Sequence, residues 1–194
     1  MATIEEIKQL RDETGASPVD CKKALKEAGE DFEKAKEILR IWGKEIVKEK
    51  KERAAKQGII ESYIHSNLKV GVLLDIRCES DFVAKSKEFQ ELAHEICLQI
   101  ASMKPLYVKS EEIPDEVLSG EKKFYREQFK DSEKPQKIVD EIIEGKLKKY
   151  KEEASLLSQP WVKDQERTVK DLVAEYISKT GENIQVERFI RYEI

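Results

Sequence analysis

Apolar residues recur at three- and four-residue spacing through the first 43 positions, and the polar residues between them mark where each helix begins and ends. Thr3 followed by Glu6 is a capping-box pattern, in which hydroxyl and carboxylate each satisfy an otherwise orphan backbone N–H, and Ile4, Ile7 and Leu10 follow on one helical face. Thr14-Gly15-Ala16 breaks that helix. Ser17 then reads as an N-cap with Pro18 in the first helical position, and Val19, Ala24, Leu25 and Ala28 supply apolar positions until Gly29. Asp31 caps a third helix whose Phe32, Ala35, Leu39 and Trp42 form one stripe before Gly43. The pattern predicts a compact three-helix bundle over 1–43.

Residues 44–57 are mostly Lys, Glu and Arg, with Ile46, Val47, Ala54 and Ala55 as the apolar exceptions, and are expected to form a solvated helical spacer. After Gly58 the period falls to two. Ile60, Ser62 and Ile64 alternate with Ile59, Glu61 and Tyr63; past a turn at Ser66-Asn67, Val70, Val72, Leu74 and Ile76 alternate with Gly71, Leu73, Asp75 and Arg77. This predicts a hairpin, covered by a helix over 86–103 that carries Phe89, Leu92, Ala93, Ile96 and Ile100 on one side. Residues 110–151 read as charged protruding helices interrupted at Pro114, Pro135 and Gly145. A helix opening at Thr168, with Val169, Leu172, Val173, Tyr176 and Ile177 as its stripe, stops at Gly181. A last strand over 184–194, with Ile184, Val186, Ile190, Tyr192 and Ile194 on one face, completes a three-stranded antiparallel sheet. The expected fold is α+β, with a small antiparallel sheet packed with helices and a helical protrusion in a core domain over 58–194.

Composition narrows the function. Charged residues are 39% of the 194, yet the net charge is only -4, so acids and bases are interspersed. That balance argues against a nucleic-acid partner, which calls for a net basic face. No apolar run approaches the 18 or so residues that cross a bilayer. The N-terminus lacks a secretory pattern, and three widely spaced cysteines give neither a disulfide framework nor a zinc site, so a reducing cytoplasm is expected.

Enzymatic signatures are missing: no phosphate-binding Gly-Lys-Ser/Thr loop, no Gly-x-Gly-x-x-Gly. Cys78 with His65 is a weak nucleophile–base candidate. The chain is expected to carry no catalytic chemistry and no cofactor. The segment Arg77–Lys85 stands out instead, because it sets an acid beside an aromatic and an aliphatic (Asp81, Phe82, Val83) where strand hands over to helix, a common seat of function.

That segment also carries a likeness. Leu10–Ala16 followed by Val19–Leu25 resembles the N-terminal signature of the bacterial elongation factor Ts family, the guanine-nucleotide exchange factors of elongation factor Tu. Asp75–Lys85 resembles the family's second signature, which usually reads Glu, aliphatic, Asn, Cys, Gln or Glu, then Thr-Asp-Phe-Val-Ala; Asp75, Arg77 and Ser80 are the departures. Leu157–Asp164, Lys179–Ile184 and Phe189–Glu193 extend the likeness over essentially the whole chain. The resemblance implies that residues 1–43 are a ubiquitin-associated-like domain facing the GTPase. It implies that Asp81 and Phe82, flanked by Ser80 and Val83, enter near the GTPase's magnesium and phosphate sites. Arg11 and Val19, beside a Pro18 that replaces a bulky apolar residue, and Gly181 in the turn Thr180–Asn183 are implied as secondary partner contacts. By similarity to the short members, the chain is expected to be a homodimer.

Overall fold

The computed structural model describes residues 2–50, 52–130 and 135–194, without the side chains of residues 44–48. Helices α1 (Ile4–Thr14), α2 (Pro18–Glu27) and α3 (Phe32–Lys50) come first. Their starts follow local chemistry. Thr3 and Glu6 form the reciprocal capping box, Ser17 accepts from the Asp20 N–H, and Asp31 accepts from the Lys34 N–H at 3.1 Å. Leu10, Cys21, Ala24, Leu25, Ala35 and Leu39 close the bundle core.

Boundaries differ from expectation at both ends of the spacer. Residues 52–56 form no helix, and Gln57 already starts a strand. Gly43 does not end the third helix, which runs on to Lys50. A Cβ at Gly43 would sit 3.1 Å from the Ser178 hydroxyl oxygen, so this glycine serves close approach to another helix rather than termination. Of the expected spacer, Lys51 and the side chains of Ile46 and Val47 lie outside the described residues.

Strands β1 (Gln57–Ile64) and β2 (Val70–Cys78) form the hairpin, and β5 (Gln185–Glu193) lies on the other side of β2, giving the order β1-β2-β5. The His65 N–H to Val70 C=O bond (2.9 Å) and the Ile194 N–H to Lys69 C=O bond (3.0 Å) fix an antiparallel register. One face, with Val72, Leu74, Ile76 and Cys78, is buried. Helix α5 (Lys87–Met103) lies on that side, as the Glu61–His94 pair and the Arg191 guanidinium bonds to the Ala101 C=O place it. On the opposite face, Ile64 (62% exposed), Leu73, Ile190, Tyr192 (67%) and Ile194 stand in solvent. The last strand's apolar face is therefore divided: Ile184 and Val186 are buried while its far end is not.

Between β2 and α5 sits a single helical turn, α4 (Asp81–Ala84). Helices α6 (Asp115–Gln128) and α7 (Gln136–Ala154) follow, preceded by Pro114 and Pro135 as expected. Gly145 does not interrupt α7. Its cost of about 1 kcal/mol in a helix interior is absorbed where Ile143 and Leu147, two residues to either side, pack into a small core with Val139, Tyr125 and Phe129. A two-stranded ribbon, β3 (Pro160–Trp161) with β4 (Asp164–Thr168), has no signal in the apolar pattern; it is held by buried Gln99, which bonds to Gln159, the Pro160 C=O and the Val162 N–H. Helix α8 (Val169–Thr180) leads into β5.

The chain divides into two compact units. One takes the chain up to Glu61 with Asp75–His94 and Asp171–Glu187; the other takes Ser62–Leu74, Glu95–Lys170 and Arg188–Ile194. Among the described residues no helix is long and apolar enough to cross a membrane.

Candidate functional site

Strand β2 ends at Cys78, and an ion pair steadies its last residues. Asp75 is 4% exposed, and Arg77, two residues along on the same face, donates from Nε and from Nη2 (2.8 Å) to its carboxylate. The buried acid is thereby satisfied, and the paired carboxylate raises the Arg77 pKa further.

Ser80 then acts as the N-cap of α4. Its hydroxyl accepts from the Val83 N–H at 3.2 Å, which starts a helical turn with Asp81 and Phe82 in its first positions. Val83 (6% exposed) and Ala84 (4%) face the interior, and Phe82 is left 81% exposed. The Asp81 carboxylate receives the Lys85 ammonium at 2.8 Å, and this bond holds its pKa below the usual carboxylate range, so it is a fixed negative charge at neutral pH. The turn thus presents an aromatic ring and a carboxylate outward and anchors itself with the two residues after them.

A second turn is joined to the first. Gly181 ends α8 with φ +72, the left-handed conformation that glycine adopts without a Cβ penalty. Glu182 follows, and its carboxylate accepts from the backbone N–H of Glu79 (3.1 Å), the N–H of Ser80 (2.9 Å) and the Ser80 hydroxyl (2.6 Å). Glu79 answers by accepting from the Asn183 N–H at 2.6 Å. From the end of α3 the Lys50 ammonium donates to the Gly181 C=O, and Asn183 Nδ2 donates to the Arg53 C=O at 2.7 Å.

Arg11 and Val19 (62% exposed) lie on the surface of the bundle, at the end of α1 and the start of α2. The Gly15 turn between them abuts α8: Lys179, two residues before Gly181, occupies the space a Cβ on Gly15 would need. The structure therefore joins Ser80–Val83 directly to the Gly181 turn, and it brings the Arg11–Val19 region against the helix that ends in that turn. Sequence reading missed Glu182, Glu79, Asn183 and Lys50. The Thr180–Asn183 stretch is visible as a motif, but a partner more than a hundred residues away carries no local signal.

Cys78 is an unsuitable nucleophile. Burial first, and then the nearby Glu182 charge, push its thiol up to about 11, leaving it protonated at neutral pH. His65 Nδ1 is bonded to the Tyr63 hydroxyl at 2.8 Å. Among the described residues no group of three or more His, Cys, Asp or Glu is placed to hold a metal ion.

Comparison with known proteins agrees along the length of the chain. The family model for elongation factor TS matches residues 3–194. The Elongation factor Ts of Thermotoga petrophila is 53% identical over 192 residues, which cover 99% of this chain and 96% of that protein. That of Coprothermobacter proteolyticus is 50% identical over 188 residues, covering 97% and 95%. The Thermosipho melanesiensis protein is 48% identical over 194 residues, covering 100% and 99%.

Proposed function

The chain belongs to the elongation factor Ts family, a family of translation elongation factors, and from that premise we propose that it is the guanine-nucleotide exchange factor of elongation factor Tu, acting in the cytoplasm without bond chemistry of its own. The observation that carries the reading is Phe82: a ring 81% exposed on a helical turn whose cap and flanking residues are bonded or buried. Exposed aromatic side chains on fixed backbone are the usual anchors of protein interfaces.

The work is differential binding. Burying a phenylalanine ring stabilises a complex by roughly 1.5 to 3 kcal/mol. Only the part gained preferentially with the nucleotide-free GTPase can speed GDP loss, so this single wedge accounts for about 10- to 150-fold at most. Asp81 brings a fixed negative charge toward the magnesium and phosphate environment, where it competes with the phosphates for the same cation. Ser80 and Val83 hold the turn, and Arg11, Val19 and Gly181 widen the contact. Linkage makes the effect mutual: GDP weakens binding of the factor by the factor's own ratio.

The solvent-facing side of the sheet supports the homodimer. Ile64, Leu73, Ile190 and Tyr192 expose apolar surface on all three strands, the kind of surface a second copy covers by two-fold pairing. Sedimentation should give a dimer that Tyr192→Lys dissociates.

The deciding experiment is release of fluorescent GDP from purified elongation factor Tu. The chain should accelerate it saturably, and Phe82→Ala should lower the saturating rate on the order of 10-fold or more. No acceleration by the unaltered chain would overturn the reading.

A further inference from the structure

We infer that Glu182 is the positioning residue of the exchange turn: its carboxylate, reaching across from the α8–β5 connection, fixes the backbone that holds Phe82 and Asp81 in place. The inference rests on the exchange reading, and it adds a residue that touches no partner in that reading and acts through Phe82.

Phe82 gains little from its own packing, since its ring is 81% exposed, so its position is set by its backbone. A four-residue helix is far below the length that is stable on its own propensity, so α4 must be imposed from outside. Val83 and Ala84 supply part of that by burial. The rest comes from Glu182. One carboxylate oxygen takes the N–H groups of Glu79 and Ser80, at 3.1 and 2.9 Å; the other takes the Ser80 hydroxyl at 2.6 Å, and that hydroxyl in turn accepts from the Val83 N–H at 3.2 Å. Three backbone donors at the entrance to α4 are therefore oriented, directly or by relay, from one side chain. Bonds to an ionised acceptor are shorter and roughly twice as strong as neutral ones.

The brace also has a return path. The Asn183 N–H donates back to the Glu79 carboxylate, so the two turns hold each other in both directions, and Lys50 secures the Gly181 C=O from the end of α3. With the brace intact, the ordering entropy of the Phe82 turn is settled before the partner arrives, which is the general basis of preorganised binding. Without it, the turn has to order during docking. Contacts through Arg11 and Val19 would still bring the partner in, so the loss should fall on the saturating rate rather than on the concentration needed for half-saturation.

The test uses the full chain and purified elongation factor Tu loaded with fluorescent GDP. Glu182→Gln keeps the shape but removes the charge. Its carbonyl oxygen still meets the two N–H groups, as a neutral acceptor, and its amide NH2 no longer accepts from the Ser80 hydroxyl. It should lower the saturating release rate about 10-fold, equivalent to about 1.4 kcal/mol, and leave the half-saturating concentration within about threefold. In a Phe82→Ala background the same change should cost clearly less than it costs alone, because only Asp81 is left to position; a merely destabilising role would cost the same full factor there. On the free protein, amide hydrogen exchange at Glu79, Ser80 and Val83 should accelerate on the order of 10-fold in Glu182→Gln.

A full saturating rate in Glu182→Gln, with Phe82→Ala defective, overturns the inference while leaving the exchange reading intact. So does a loss in the Phe82→Ala background as large as in the unaltered chain. Should the unaltered chain fail to release GDP, the exchange reading falls instead, and unchanged amide protection would then refute the brace on its own. If Glu182→Gln does not fold, Glu182→Asp, which keeps the charge but shortens its reach, is put through the same measurements with the same deciding outcomes.

Discussion

Phe82 and Phe124 are both phenylalanines left largely to solvent, 81% and 59% exposed, yet they stand on opposite kinds of support. The backbone under Phe82 is held by a buried flank, an N-cap and a carboxylate with three donors. Phe124 sits on α6, a helix with no buried residue of its own. That helix meets α7 through Tyr125 and Phe129 on a core of Val139, Ile143 and Leu147, and through exposed ion pairs such as Lys122–Glu144 at 2.7 Å. Exposed pairs of that sort contribute little, typically about 0 to 1 kcal/mol. On the proposed reading, exposure alone does not mark a docking residue, and exposure on an over-determined backbone does.

The contrast can be attacked from its weaker side first. Ile143→Ala opens a hole in the small core beneath α6 and should destabilise the α6–α7 region by about 2 to 4 kcal/mol, read as a shift in the urea midpoint. Amide protection at Glu79 and Ser80 should stay as it was, and a parallel loss there would erase the distinction between the two supports. Next in size, Phe124→Ala should leave stimulated GDP release within about twofold, against the order of 10-fold or more for Phe82→Ala. Equal losses would mean that ring exposure by itself is what the GTPase reads.

The smallest effect is one of pH. Cys78 lies buried beneath the braced turn with its thiol raised from an ordinary 9.0 to about 11. A folded-state pKa above the unfolded one contributes stability that is complete below about pH 9 and fades as pH rises toward about 11. Thermal unfolding should be flat in this respect from about pH 7 to 8 and drop above about pH 9, and Cys78→Ala should flatten the alkaline drop. An unaltered alkaline profile in that variant would remove Cys78 from the account.

Much of the fold is legible in the chain where the physics is local. Thr3 with Glu6, and Ser17 with Pro18, start helices because a hydroxyl three residues from an N–H has one good place to go. The segment from Ser80 to Val83 can be singled out as an acid next to an aromatic after a strand. That pattern serves equally to cap and pack the next helix, so the residues by themselves leave its purpose open. The illegible part depends on distant neighbours. Gly43 reads as a stop until Ser178 is beside it; Gly145 reads as a break until Ile143 and Leu147 outweigh its cost. Glu182 reads as one acid among 40 Asp and Glu. Val83 reads as part of the presented surface, and only burial shows that it is the anchor.

The Asp75–Arg77 pair bears on how such a chain drifts over generations. Both positions depart from the usual signature, and in the fold they answer each other: the guanidinium compensates a carboxylate that is 4% exposed. A lineage that replaced Arg77 would take the guanidinium bonds from that buried carboxylate, a step that selection tends to reject. Arg77 is therefore expected to be kept wherever Asp75 is.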